Sequence, residues 1–381
     1  MKIAKLFLVG AVVLGLGLTA CKSETPDVKK EKAGTLTLSV VPGSQPGARL
    51  AGDLSGNGIL PPGLVAESKI NTVEVWVFAG GTLEKYESGA LTAEGKIKVT
   101  GLTVGAKKVV VVANAALGTQ PTLAVLQAKT KELSQDISNG LVMTAEPFDQ
   151  TLTQCEDPDC NTATVEVVRV NARVALTCLT VDFQNLPYDN FKLTEVSMFN
   201  VPKTTNLFGA PLVSAPTDFL YGSAYPTTAL SYVGCVGYGG PKTGTLEASL
   251  AEANGDFVFT PAPTKVPYFY VNENDAVEQT FIVLKGTLWN GATQYTLPGV
   301  VTDADGFTYY RININATKEG YTYAPDGVTH DGKQVRNTQY NLCVTLKKAG
   351  NPTIDEPENS CLEVTVTVKP WEVVTQNVVW E

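Results

Sequence analysis

Apolar and polar residues alternate along most of this chain. Near its end, Leu362, Val364, Val366 and Val368 interleave with Glu363, Thr365, Thr367 and Lys369. A period of two predicts a half-buried strand. Pro370 has no N–H to donate and breaks the ladder. A second run follows, with Val374, Val378 and Trp380 on one parity and Trp371, Val373 and Val379 on the other. A strand apolar on both parities expects burial on both faces. Two readings are open for it: it closes its own sandwich, or part of it fills a groove in another molecule.

The same periodicity recurs from the start of the fold. Leu36, Leu38 and Val40 share one face of a short strand, Thr35 to Val41. Strand patterns follow at Thr72 to Ala79, Leu83 to Ser88 after a Gly-Gly turn, Lys96 to Thr100, and Lys108 to Ala113. Residues 121–137 carry the helical spacing, with Leu123, Leu126, Leu133 and Ile137 apolar. Val142 to Pro147 and Phe148 to Thr153 return to strand or loop. This half predicts an all-β sandwich with one covering helix. Thr164 to Val181 is long and apolar, with Arg169 and Arg173 set into it, and a second domain begins between Thr162 and Asp182. Further strands are expected at Lys192 to Val201, near Phe257, and at Tyr268 to Val271, Gln279 to Trp289, Phe307 to Ile314 and Val335 to Leu346. The domains expected are 50–165 and 166–381.

Composition supports this picture. Val and Thr abound, with Gly 34 and Pro 22, which favours strands and turns over helices. The net charge of -9, with the acidic excess after residue 49, argues against nucleic-acid binding and favours solubility.

Residues 1–20 stand apart from the fold. Lys2 and Lys5 precede an apolar run, Leu6 to Leu18, that is short for a membrane span of about 20 residues. Leu18-Thr19-Ala20-Cys21 then reads as a lipobox, so Cys21 is the expected lipidation site of an exported bacterial lipoprotein. Several acyl chains would anchor it stably to the envelope. The charged stretch after Cys21 reads as a tether to the domain.

Six further cysteines form an even set in an exported chain, which suggests disulfides. Cys155 and Cys160 flank an acidic turn, Cys343 and Cys361 bracket another, and Cys178 with Cys235 remain. Neither CxxC spacing nor a nearby histidine supports a metal site. Chemistry is otherwise sparse. His330 is the sole histidine, in a Gly- and Asp-rich loop, and Asp303 and Asp305 lie in turn sequence. No GxSxG, HExxH, P-loop or GxGxxG context is present, and no catalytic residue or cofactor is expected. Pro42 to Gly63 is a long Gly- and Pro-rich loop with a single basic residue, Arg49. A loop of that length is functional or disordered, and an exposed one is where proteases cut.

Nine stretches, in order, carry a resemblance. They are residues 69–81 (KINTVEVWVFAGG), 107–116 (KKVVVVANAA), 140–148 (GLVMTAEPF), 167–176 (VVRVNARVAL), 205–215 (TNLFGAPLVSA), 267–275 (PYFYVNEND), 309–315 (YYRININ), 335–346 (VRNTQYNLCVTL) and 368–380 (VKPWEVVTQNVVW). Together they resemble the FimA-type major fimbrillins of Bacteroidales, the shaft subunits of type V pili, over nearly the whole chain. The resemblance implies two transthyretin-like β-sandwich domains in tandem. It implies export as an outer-membrane lipoprotein and cleavage by an arginine-specific protease in the loop after the first strand. The matching bond is Arg49–Leu50, although the family often has a small residue after the arginine. The six cysteines also exceed what such a subunit leads one to expect, so no pairing is carried over.

The implied cut releases residues 22–49 with Leu36, Leu38 and Val40. Burial of three such side chains is worth roughly 5–9 kcal/mol, and their removal leaves a groove with unpaired backbone groups. A C-terminal strand of another copy could enter by strand addition, and a contact between different surfaces propagates into a filament. Either Leu362 to Lys369 or Trp371 to Trp380 could be the donor, and Pro370 as the break favours the second. The resemblance further implies minor and anchor fimbrial subunits, host or bacterial surface receptors, adhesion and biofilm formation. The alternatives are an anchor or tip subunit or a glycan-binding lipoprotein and, more remotely, an envelope enzyme. A glycan binder should present an aromatic platform, whereas Trp76, Trp289, Trp371 and Trp380 all sit in strand-like contexts.

Overall fold

The computed structural model describes residues 33–43, 67–134, 138–154, 161–211, 219–225, 268–317, 321–323, 330–354 and 362–370, with 321–323 and 362–370 as backbone. Strands dominate, and among the described residues there are several sheets and a single short helix.

The first sheet is built from β1 (Ala33–Pro42), β2 (Val73–Ala79), β3 (Thr82–Gly89), β4 (Lys96–Thr103), β5 (Gly105–Ala113), β7 (Met143–Thr144), β8 (Phe148–Leu152) and β9 (Thr162–Arg169). Its strand order is β3-β2-β5-β7-β9-β1-β4, with β8 beside β5. Gly80 and Gly81 form the two-residue link between β2 and β3, each with positive φ, as the twist of a tight hairpin demands. The sheet curls on itself. Val75 and Val77 of β2, Val109 and Val111 of β5, Val99 of β4 and Val167 of β9 all point into one shared core. The two ends of the path meet where the Thr103 amide donates to Glu84 of β3. Lys107 reaches the same carboxylate at 2.5 Å.

The other face of β2 and β5 is buried too. Trp76, Phe78, Val110 and Val112 pack beneath helix α1 (Leu123–Gln127) and beneath Leu207 and Phe208. This corrects the expectation of a helix over residues 121–137. The helix ends after Gln127, and β6 (Thr130–Glu132) instead pairs antiparallel with β12 (Thr204–Asn206). Unmet backbone groups of a distant strand outweigh the weak local helix preference of a short segment.

The long apolar run around Arg169 is two strands. β9 belongs to the first sheet, and β10 (Asn171–Val181) opens another, so the chain changes sheet at Val170. The later strands are β11 (Asn190–Pro202), β13 (Phe219–Tyr225), β14 (Tyr268–Asn272), β15 (Phe281–Asn290), β16 (Thr293–Tyr295), β17 (Thr308–Asn313), β18 (Tyr321–Tyr323), β19 (Thr338–Leu346) and β20 (Leu362–Pro370). One five-stranded sheet runs β14-β10-β19-β20-β18. The other runs β13-β11-β15-β16, with β17 beside β15. Their inner faces meet in one core, with Val174, Leu342 and Phe269 from the sheet of β10 against Met198, Ile282 and Ile312 from the sheet of β11. β15 is buried on both faces, because Phe281 and Val283 pack outward against Phe199, Tyr309 and Ile354. The expected strand near Phe257 lies outside the described residues.

Candidate functional site

β1 is an interior strand. It runs antiparallel to β4, from Thr35 opposite Thr100 to Ser39 opposite Lys96. It runs parallel to β9, from Thr37 opposite Thr162 to Pro42 opposite Val167. The alternation places Leu36 and Leu38 fully in the core and leaves Val40 2% exposed. Both ends of this slot are tight. A Cβ on Gly34 would stand 3.3 Å from the Leu102 carbonyl oxygen, and one on Gly43 would stand 3.1 Å from Val168 Cγ1. Near the first end the register skips between Gly34 and Thr35, where Gly101 of β4 takes a φ of 77° and forms a bulge. Taking β1 away would strip hydrogen-bond partners from β4 and β9 together and open the core along the line of Leu36, Leu38 and Val40.

A second feature stands beside the slot. The Gly43 amide donates to the Val167 carbonyl at 2.7 Å, which pins the end of β1 to β9. Two residues further along β9, Arg169 holds the chain where it re-enters the described structure: its Nε donates to the Glu67 carbonyl at 2.9 Å and a terminal nitrogen to Ser68 Oγ at 2.7 Å. Arg173 grips the Glu67 carboxylate at 2.7 and 2.9 Å, and the Tyr270 hydroxyl donates to it at 2.6 Å. The two arginines also donate to Asn337, just before β19, and to Gln339 of β19. Glu67, Arg169, Arg173 and Tyr270 are all at most 2% exposed. Burial lowers the Arg169 pKa to about 10, an effect that the charge of Arg173 reinforces and that of Glu67 opposes. Burial, then the Glu67 charge, pushes the Tyr270 phenol up, so it stays a donor. The sequence flagged the two arginines within an apolar run but gave no sign of Glu67, whose partners lie more than a hundred residues away.

β20 pairs with β19 antiparallel, from Leu346 opposite Leu362 to Thr338 opposite Pro370. It pairs parallel with β18 as well. Cys343 on β19 is disulfide-bonded, and Cys178 of β10 stands opposite it in the parallel register. Cys21, Arg49, Leu50, Cys155, Cys160, Cys235, Cys361 and the run from Trp371 to Trp380 lie outside the described residues. Asp303 shapes its turn as expected: its carboxylate accepts from the amides of Asp305 and Phe307. Among the described residues no three His, Cys, Asp or Glu side chains gather as a metal site.

Comparison with known proteins decides the family. Residues 171–371, more than half of the chain, match the FimA4 pilin C-terminal domain, and residues 36–177 match the major fimbrial subunit protein FimA. The chain belongs to the FimA pilin family. As a fimbrillin it is similar to the major fimbrium subunit FimA type-2 of Porphyromonas gingivalis, 27% identical over 417 residues that cover 100% of both chains. It is also similar to FimA type-4 of that organism, 28% identical over 418 residues and again 100% of both. The fold resembles the crystal structure of a FimA fimbrillin from Porphyromonas gingivalis W83, with a TM-score of 0.63 and 24% identity, covering 91% of this chain and 99% of that one. This fimbrillin is a structural fimbrial subunit.

Proposed function

We propose that the protein is a fimbrial shaft subunit in which β1 is a temporary strand, replaced during assembly by a strand of another copy. The precursor is exported and lipidated at Cys21, which holds it at the outer membrane. An arginine-specific protease cuts Arg49–Leu50 and parts the lipid-bearing residues 21–49 from the rest of the chain. The C-terminal run of a neighbouring copy, carrying Trp371, Val373, Val374, Val378, Val379 and Trp380, enters the slot between β4 and β9. The fold is two transthyretin-like sandwiches, with the junction where β9 gives way to β10. Slot and donor lie in different domains of each copy, so the contact is head-to-tail and propagates. Fimbriae so built extend from the cell surface and serve adhesion and biofilm formation, joined by minor and anchor subunits and meeting host or bacterial receptors.

The observation that carries this reading is the placement of β1. It is an interior strand whose three aliphatic side chains fill the first core, and the chain leaves it into the segment that holds Arg49. No surface edge strand could leave so specific a vacancy. β20 is held on both edges in its own sheet, which favours the run after Pro370 as donor over Leu362 to Lys369.

The test is digestion of the soluble precursor, residues 22–381, with an arginine-specific protease beside an Arg49→Ala control. N-terminal sequencing should give Leu50, and electron microscopy and SDS-resistant ladders should show polymers only from the cleavable protein. A stable monomer with no cut at that bond would overturn the shaft reading in favour of a monomeric surface lipoprotein.

A further inference from the structure

The buried cluster around Glu67 has no part in filling the slot, yet it stands at the slot's end. Both ends of the chain segment between Gly43 and Glu67 are fastened to one short stretch of β9, Gly43 at Val167 and Glu67 at Arg169. The two fastenings differ in kind. Gly43, just after β1, is held by a backbone hydrogen bond. Glu67 is held by charged side chains from β9 and β10 and by the Tyr270 hydroxyl from β14, all shielded from water. Charge-assisted bonds in such surroundings are strong and poorly screened. Just downstream, Asn114 continues the hold: its side chain accepts from the Asn71 amide at 2.9 Å and donates to the Lys69 carbonyl at 2.9 Å. β2 follows directly.

We infer that Glu67 with Arg169, Arg173 and Tyr270 forms a latch that separates the fate of β1 from that of β2. Before any cut, the chain on both sides of the loop is fixed. After a cut anywhere between Gly43 and Glu67, β1 keeps only its own strand pairing and core packing, whereas the downstream chain stays clamped at Glu67. β1 can then leave without fraying the residues that lead into β2, and the groove keeps its walls for an incoming strand. The cluster also grips Asn337, just before β19, and Gln339 of β19, which stands opposite Lys369 of β20. The downstream end of the loop and the root of the C-terminal run therefore share one rigid anchor. This inference rests on the strand-release reading for its biological use, but the latch itself is testable without it.

The experiment is hydrogen exchange by mass spectrometry on the soluble precursor, intact and after one cut in the loop. The cut is made at Arg49 and, in a second version, at a protease site inserted between Gly43 and Glu67, so a resistant Arg49 bond leaves the test of the latch intact. In the cut wild type, amides of residues 35–41 should exchange at least about tenfold faster than in the intact chain. Those of residues 69–79 should stay within about twofold. Glu67→Gln and the milder Tyr270→Phe should speed exchange at residues 69–79 about tenfold in the cut protein and much less in the intact one. Should Glu67→Gln fail to fold, Tyr270→Phe alone decides. Equal effects of the substitutions before and after the cut would overturn the latch. So would loss of protection at residues 69–79 together with β1 in the cut wild type.

Discussion

The Arg173 guanidinium lies 2.7 and 2.9 Å from the two carboxylate oxygens of Glu67, across 106 residues of sequence. Both side chains are almost wholly shielded from solvent, 2% and 1% exposed. Removing one partner of a buried pair typically costs about 3–5 kcal/mol. Arg173→Met should therefore lower the stability of the intact precursor by about that much, measured by urea unfolding. A loss under about 1 kcal/mol would mean that the pair is offset by water or by other partners.

Leu38 offers a test that separates precursor from filament. It is fully buried in β1, opposite Ile97. Leu38→Ala should destabilise the uncut precursor by about 2–5 kcal/mol. Under the proposed assembly the residue is absent from the mature subunit. Filaments grown from this variant should dissociate in SDS at the same temperature as wild type. A matching loss in the filament would show that β1 is retained.

The donor run predicts the reverse pattern. If the run serves only the assembled fibre, Val378→Asp or Trp380→Ala should leave precursor unfolding within about 0.5 kcal/mol of wild type. The same changes should abolish SDS-resistant ladders after cleavage. Ladders of normal length from both variants would exclude Trp371 to Trp380 as donor and turn attention to Leu362 to Lys369.

Acid should loosen the first sheet through Glu84. Burial by itself would raise the pKa of this carboxyl. Hydrogen bonds from Lys107 and from the Thr103 amide, together with the Lys107 charge, outweigh burial and hold it below its ordinary 4.5. A carboxyl lowered in the folded state adds stability above its unfolded pKa and loses it as pH falls through the folded one. The stability gap between wild type and Glu84→Gln should thus be full at pH 7 and shrink as the solution is acidified below the ordinary value. Unfolding midpoints measured across that range would check it. A gap that does not change with pH would assign the loss to packing and not to charge.

Cys343 is disulfide-bonded, and the backbone of Cys178 stands opposite it on the neighbouring strand. Leu362, which follows Cys361, is opposite Leu346, three residues along β19 from Cys343. Three residues of strand span about 10 Å, whereas bridged Cα atoms lie about 4.4–6.8 Å apart. Peptide mapping without reduction is expected to give Cys178 joined to Cys343, in place of the Cys343–Cys361 and Cys178–Cys235 pairings that sequence position suggests. Recovery of a Cys343–Cys361 peptide would reject the assignment.

Much of this architecture was legible from pattern. Alternation at Leu36, Leu38 and Val40 marks β1, the Gly80-Gly81 pair marks the β2–β3 hairpin, and the run from Leu362 to Lys369 marks β20, because a period of two follows directly from strand geometry. These are local consequences of side-chain order, and the chain need not be folded for them to be read. What only the tertiary structure decided was partnership. Nothing near Thr130 announces that it pairs with Asn206, and so the helical spacing after Leu123 misleads. Nothing near Arg169 and Arg173 names Glu67 as the residue that the first holds by its carbonyl and the second by its carboxylate. The sequence shows that a buried arginine must find a partner, since an unpaired charge in a core is too costly to survive. Which residue answers depends on how strands far apart in the chain are brought side by side, and that is fixed by the packing of the whole core and by no single stretch of it.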